Sequence, residues 1–284
     1  MHAQARVDHG QRIRAHLAGA GRVGHRAAEF AVEGQGVLVG LHLCAGAGFL
    51  DQFFGQRRLG RNLIQYLLTR KGLMATGSHD VVAFVRTLPE LTRPDVELVM
   101  APFSLRPGKM SMAFEQAHGM QIFGYQLRPE SQGSVMITSP DPAAAPRIHS
   151  AYFSTDGDRQ MSGRILRYIR NLAAQSPLAE KLVQETSPGV QVQTDDDALA
   201  FHSEFGGPVA HPAGTCKMGW DPLAVVDARL RVHGVSNLRV IDCSVMPSLV
   251  SAHTNAATMA IAWRGAQLIE EDLAGQRAAA QGGA

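Results

Sequence analysis

Long apolar runs are missing. No stretch reaches the roughly 18 residues that a membrane-spanning helix needs, although 45% of the residues are hydrophobic. Charge imbalance is missing too: the formal net charge is +2, and no Lys/Arg run or basic–aromatic interleave suggests nucleic acid as a partner. Cysteine is scarce. Cys44, Cys216 and Cys243 are isolated, which argues against a disulfide framework and suits a reducing compartment. The opening "MHAQARVDHGQRIRAHLAG" lacks the apolar segment of a secretory signal. These absences lead us to expect a soluble, cytoplasmic protein without membrane or nucleic-acid partners. Its 284 residues suffice for one large domain or two smaller ones.

Residues 1–60 are rich in Gly, Ala, Arg and His, and neither strand nor helix periodicity persists in them. "GAGRVG" (Gly19–Gly24) matches G-x-G-x-x-G. A dinucleotide-binding turn also needs a buried strand before it, a helix after it and an acid about 20 positions on. The preceding "QRIRAHLA" is a poor buried strand, and Glu29 and Glu33 come too early.

The texture changes near Asn62. "NLIQYLLTRKGLM" reads as an amphipathic helix ending at Gly72. "HDVVAFVRTL", "DVELVMAPFSL", "MQIFGYQLRP" and "GSVMITSPDP" read as strands, being rich in β-branched and aromatic residues. Phe123, Tyr125 and Leu127 share one face of the third strand. Thr155 and Asp156 are candidate caps for a helix whose buried stripe is Met161, Ile165, Tyr168 and Leu172, ended by Pro177. Strands in a row followed by helices predict an α+β fold with an antiparallel sheet.

Further on, "VVDARLRVH" alternates, with Val226, Ala228, Leu230 and Val232 on one side, and "LRVID" is a short apolar segment ending at Asp242. Both read as strands. A last helix begins near Thr254, with Met259, Ala262, Ala266, Ile269 and Leu273 as its expected buried stripe. Its first turns hold no acid, while Glu270, Glu271 and Asp272 lie far along it. Such an open N-terminus suits an anionic or polarisable ligand; close packing alone also explains the small residues.

His211 and His253 sit at element ends beside small residues, where a ligand can approach. Asp242 ends a strand, so it either faces a ligand or caps a loop. His211, Cys216, His233, Cys243 and His253 lack the paired spacing of structural zinc sites. A Cys216 nucleophile would lack a recognisable partner to orient its base.

"HPAGTCKMG", "VVDARLRVHGVSNLRVIDCSVMP" and "SAHTNAATMAIAWRGAQLI" resemble, in order and spacing, the C-terminal signature of the glucose–methanol–choline (GMC) oxidoreductases. The resemblance extends more weakly upstream and covers roughly residues 62–275. It implies FAD-dependent oxidation of a primary alcohol by hydride transfer to the flavin, with a small alcohol as substrate. By this resemblance His211 is the active-site base and His253 the second active-site group. Asp242, with Cys243 beside it, lies along the ribityl–pyrophosphate part of the flavin. Thr254, Asn255 and Ala256 bring the last helix to the flavin's pyrimidine end. Family members also carry an N-terminal FAD-binding Rossmann half, which nothing before residue 60 resembles.

The expected organisation is therefore an irregular leader (1–60), a substrate-binding domain (61–205), the C-terminal part of an FAD and active-site domain (206–275) and a disordered tail (276–284). The alternative is a non-catalytic binding or interaction domain derived from the family's substrate domain.

Overall fold

The Val-, Phe- and Leu-rich segments between residues 81 and 136 become strands, as their composition predicts. The computed structural model describes residues 30–33, 37–45, 56–75, 77, 79, 81–104 and 119–282. In chain order the strands are β1 (Phe30–Glu33), β2 (Val37–Ala45), β3 (Val81–Val85), β4 (Val96–Ala101), β5 (Gly119–Gln126), β6 (Gln132–Met136), β7 (Arg147–His149), β8 (Leu182–Ser187) and β9 (Gly207–Pro208). The helices are α1 (Gln56–Thr69), α2 (Asp156–Ala173), α3 (Asp195–Phe205) and α4 (Thr254–Gly282). A six-stranded sheet runs β3-β4-β5-β2-β8, with β9 also paired to β2, and β1, β6 and β7 form a second, three-stranded sheet. Every pairing is antiparallel.

Within the segment expected to be an irregular leader, residues 30–33 and 37–45 are strands and α1 begins at Gln56. β2 is the strand between β5 and β8. Val39, Leu41 and Leu43 alternate there with Gly40, His42 and Cys44, but a strand with partners on both sides is set by pairing more than by local propensity. Gly19–Gly24 lies outside the described residues.

Alternation gives the sheet two unlike faces. Val96, Leu98, Met120 and Ile122 pack under α2, against Met161, Ile165, Leu166, Ile169 and Ala173. Gly124 lets the helix come this close, since a Cβ there would lie 2.7 Å from Leu98 Cδ2 and 3.0 Å from Ile165 Cγ2. Thr155 caps α2 by accepting the Asp158 N–H, with Asp156 and Asp158 at the positive end of the helix. Leu172, expected inside, is 37% exposed. The buried stripe turns one position further, through Leu166, Ile169 and Ala173. On the opposite face, Phe123, Tyr125 and Leu127 cluster with Val99.

The C-terminal region differs from its sequence pattern in three ways. First, residues 225–242 form tight turns linked by single bridges rather than strands. The Asp227 carboxylate accepts the backbone N–H groups of Arg229 (2.8 Å) and Arg231 (2.9 Å), and this local capture curls the chain. Val226 and Leu230 still reach the core with Val245 and Leu268, while Ala228 is exposed. Second, α4 continues to Gly282, so the expected disordered tail is helical through that residue. The acids at 270–272 thus lie inside the helix, where Asp272 pairs with Arg229 (2.7 Å), Arg231 and Arg239.

Third, α4 buries the other face. Ile261, Gly265 and Leu268 pack against the Val226–Val245 core, and a Cβ on Gly265 would lie 2.6 Å from Ile241 Cγ2. Met259, Ala262, Ala266, Ile269 and Leu273, expected inside, are exposed, as is Trp263. The helix is apolar on two sides, and periodicity alone does not say which one packs. No described helix is long and apolar enough to cross a membrane.

Candidate active site

The small-residue turn in "VAHPAGTC" sets His211. Ala210 has φ 57°, a left-handed conformation that redirects the chain. Pro212 then restricts His211 to an extended backbone, and buried Ala213 anchors the far side. His253 ends the loop that enters α4. Arg128, just past β5, ties this loop to the sheet: its guanidinium donates to Ser251 Oγ (2.8 Å) and to the Pro94 carbonyl (2.6 Å).

These two segments bring the imidazoles together. His253 Nδ1 and His211 Nε2 are 3.2 Å apart, with perpendicular rings whose centroids are 4.9 Å apart. The sheet lies behind them. Glu97 on β4 and Tyr125 on β5 are register partners. His253 Nε2 stands 2.8 Å from Glu97 Oε1, and the Glu97 side chain is 0% exposed. This is ion-pair range, although among the described residues neither Glu97 oxygen nor the Tyr125 hydroxyl makes a well-aligned hydrogen bond. The Tyr125 ring meets His211 and His253 edge-on, at 5.7 and 6.5 Å.

Burial and charge act on these groups. Burial lowers the His211 pKa below its ordinary value; a neighbouring His253 charge lowers it further, and Glu97 opposes both. The Tyr125 phenol is pushed far up, first by burial and then by Glu97. His211 is thus biased toward the neutral form that can accept a proton.

Glu97 is the group that sequence reading missed. Its signal was present: one acid in the apolar run "DVELVMA", where an unpaired charge is rarely buried. Tyr125 was read as one member of an apolar face, and that face borders the histidine pair.

The other candidates occupy a neighbouring loop and the start of α4. Asp242 accepts the Ser244 N–H at 2.8 Å and caps the 3₁₀ turn Cys243–Val245, so its carboxylate does the loop-capping job. Cys243 opens that turn as a half-buried free thiol. The turn is bonded to the segment after His211 through Cys216 N–H to Ser244 O and Met218 N–H to Val245 O, both 2.9 Å. Thr254 begins α4, and Asn255 and Ala256 are exposed in its first turn, which holds no acid. Burial raises the Cys216 thiol, which disfavours a nucleophilic thiolate. His233 turns to the Gly219 carbonyl, 3.0 Å away. Among the described residues no group of three or more His, Cys, Asp or Glu side chains is arranged to hold a metal ion.

Comparison with known proteins gives the family. The sequence pattern of the GMC oxidoreductase family matches residues 129–262. The oxygen-dependent choline dehydrogenase of Vibrio vulnificus is 38% identical over 207 residues, covering 72% of this chain and 37% of the relative. The crystal structure of pyridoxine 4-oxidase from Mesorbium loti superposes with a TM-score of 0.70 at 24% identity, over 91% of this chain and 47% of that one. A formate oxidase variant from Aspergillus oryzae RIB40, studied for modification of its FAD, gives 0.73 at 20% identity, over 87% of this chain and 47% of that one. The chain spans under half the length of these relatives. With the histidine pair, the site loops and the first turns of α4 inside the matched residues 129–262, the chain belongs to the GMC oxidoreductases and corresponds to their C-terminal region.

Proposed function

We propose that this chain is the substrate-side half of a flavin-dependent enzyme that oxidises a primary alcohol. The observation that carries the reading is the His211–His253 pair, set 3.2 Å apart beside the acid-free start of α4. The residues present suit one end of FAD. The α4 N-terminus offers backbone N–H groups near Asn255 and Ala256 with no competing carboxylate, which favours an electron-rich ring edge. Thr254, Asn255 and Ala256 would hold that edge, and the Asp242–Cys243 turn would flank the chain leading from it. When bound, FAD supplies the acceptor for the hydride that leaves the alcohol carbon.

The protein's own part is proton and charge management. Neutral His211 accepts the hydroxyl proton at Nε2, and His253 donates from Nδ1 to the same oxygen, steadying negative charge as it develops. The two nitrogens are 3.2 Å apart, so an alcohol oxygen seated beside the pair, as the third corner of a triangle, can lie within hydrogen-bond distance of both. Residues 61–205, with β2, supply the sheet that backs the substrate, and residues 206–275 carry the reacting groups.

The whole enzyme would include a further half that holds the FAD phosphates. Two facts support this: the chain covers 37–47% of the relatives compared, and α4 leaves Met259 (61%), Trp263 (74%) and Leu273 (46%) exposed on one side. Such a patch suits a covering surface. By this reading the chain alone binds FAD weakly and turns over no alcohol; acting alone, it would be a binding domain. Titrating FAD into the purified chain, with flavin absorbance and alcohol-dependent bleaching as readouts, tests this. We expect weak binding and no bleaching. Stoichiometric yellow protein that bleaches with a simple alcohol would overturn the half-enzyme reading.

A further inference from the structure

His253 reaches its partner from the end of a segment with few ties. Residues 247–253 run from the Cys243–Val245 turn to α4. Among the described residues no main-chain hydrogen bond holds 247–252. Leu249 and Val250 are half-buried, while Pro247, Ser248, Ser251 and Ala252 are exposed. The polar tie that this segment does make comes from the sheet. Arg128, 123 positions earlier in the chain, donates from Nη1 to Ser251 Oγ at 2.8 Å.

We propose that Arg128 is a positioning residue: its guanidinium clamps the segment before α4 to the sheet and so sets His253 at working distance from His211. The inference rests on the alcohol-oxidation reading, in which both rings act on one oxygen. Three features suit Arg128 to this task. Its backbone is fixed, because the Leu127 N–H donates to the Asp95 carbonyl at 2.9 Å and the Arg128 carbonyl accepts from Gln126 Nε2 at 3.0 Å. Its planar fork serves two segments at once, with Nη1 on Ser251 and Nη2 on the Pro94 carbonyl at 2.6 Å, a geometry that a lysine ammonium does not reproduce. It is also partly desolvated: burial, ahead of the Arg93 charge, lowers its pKa, and Asp95 opposes both. A charge-assisted bond with less competing water is a stronger one.

The clamp joins the two parts that make the site. Pro94 leads into β4 and Arg128 follows β5, the strands behind the histidines; Ser251 belongs to the segment that delivers one of them. It lies two residues before His253, so the bond acts close to the ring without touching it. His211 is set separately, by the left-handed turn at Ala210 and by Pro212. A slack clamp would therefore move one ring and leave the other. The ring nitrogens are 3.2 Å apart, and a misplacement of about 1 Å in a reacting group costs on the order of 10²-fold in rate.

The test needs neither flavin nor alcohol, so it can fail while the functional reading stands. NMR on the full chain with ¹³C-labelled histidine, assigned through His202→Gln, His211→Gln and His253→Gln, reads two signals: the NOE between the His211 and His253 rings, and the pH at which His211 titrates. Ser251→Ala and Arg128→Lys weaken the clamp without changing net charge, and Ser251→Thr keeps the hydroxyl. In Ser251→Ala and Arg128→Lys the NOE should be lost. The His211 pKa should rise toward 6.5, because burial and the His253 charge, which hold it down against Glu97, both weaken. Tyr125, the other ionisable group against His211, stays protonated because burial raises its phenol, so it adds no charge. Ser251→Thr should match the parent. His202, buried against Ser162 at 2.8 Å, is the control and should not change in any of them. A folded Ser251→Ala chain that keeps the parent's NOE and His211 titration overturns the proposal, even if Arg128→Lys does not fold. So does absence of the NOE in the parent. A loss accompanied by a shift of His202 overturns it as well, since that marks general loosening and not a clamp on one ring.

Discussion

His202 makes the packing of α3 on α2 measurable by pH. The side chain is 2% exposed. Its Nδ1 meets Ser162 Oγ at 2.8 Å, while Nε2 has no partner among the described residues. Protonation would bury a charge with an unsatisfied N–H, and Arg170 is near enough to add repulsion. Burial first, and Arg170 second, push its pKa from 6.5 down to about 4. The unfolded chain therefore takes up this proton before the folded one does. Stability is intact above pH 6.5 and falls as the pH drops toward 4. At about 1.4 kcal/mol per pH unit, the loss from this residue between pH 7 and pH 4 is about 3 kcal/mol. Urea unfolding at a series of pH values measures it, provided the m-value stays constant. His202→Gln removes the titration, so its stability should fall less over the same range, by roughly that amount. Parallel pH curves for variant and parent would refute the argument and place His202 in water or in a hydrogen-bonded cationic site.

Further predictions concern α4. Gly→Ala inside a helix ordinarily gains about 1 kcal/mol. At Gly265 the new methyl would meet Ile241 Cγ2, which a β-branched side chain cannot swing aside freely. Gly265→Ala should therefore destabilise, by about 1–3 kcal/mol for overpacking less that gain, and thermal unfolding would show a lower Tm. Asp272 is held down at about 2, first by Arg231 and then by Arg229. Its contribution is present above its ordinary range near 3.8 and lost as the pH falls through about 2. Asp272→Asn should thus lower Tm at pH 5–7, and the difference from the parent should close toward pH 2.

Local chemistry was legible in the sequence wherever one residue type dictates one outcome. The Thr155 cap, β3 to β6 and the sheet face of Phe123, Tyr125 and Leu127 follow from composition and alternation. β2 was hidden because its pairing with β5 and β8 is non-local. The 225–242 segment has strand alternation, but Asp227 captures two backbone N–H groups and turns the chain. On α4 the apolar stripe at Met259 and Leu273 is real; it lies on the side away from Val226 and Leu230, and Gly265, with no side chain to count as apolar, marks the packed side instead. For the site, His211 and His253 stood out as a pair through the signature that surrounds them, since 42 residues separate them in sequence. Glu97 came from a different strand, and only folding brings its carboxylate to His253.

The central claim is that His211 and His253 act together on an alcohol when the flavin-phosphate half is present. A chimera tests it: the N-terminal half of the Vibrio vulnificus choline dehydrogenase joined to this chain, with and without His211→Ala, assayed for bound flavin and for turnover of choline and simple alcohols. The account predicts a yellow protein that oxidises an alcohol, and a His211→Ala variant that keeps its flavin while losing about 10²-fold or more in rate. A flavin-loaded chimera whose turnover is unaffected by His211→Ala would contradict it.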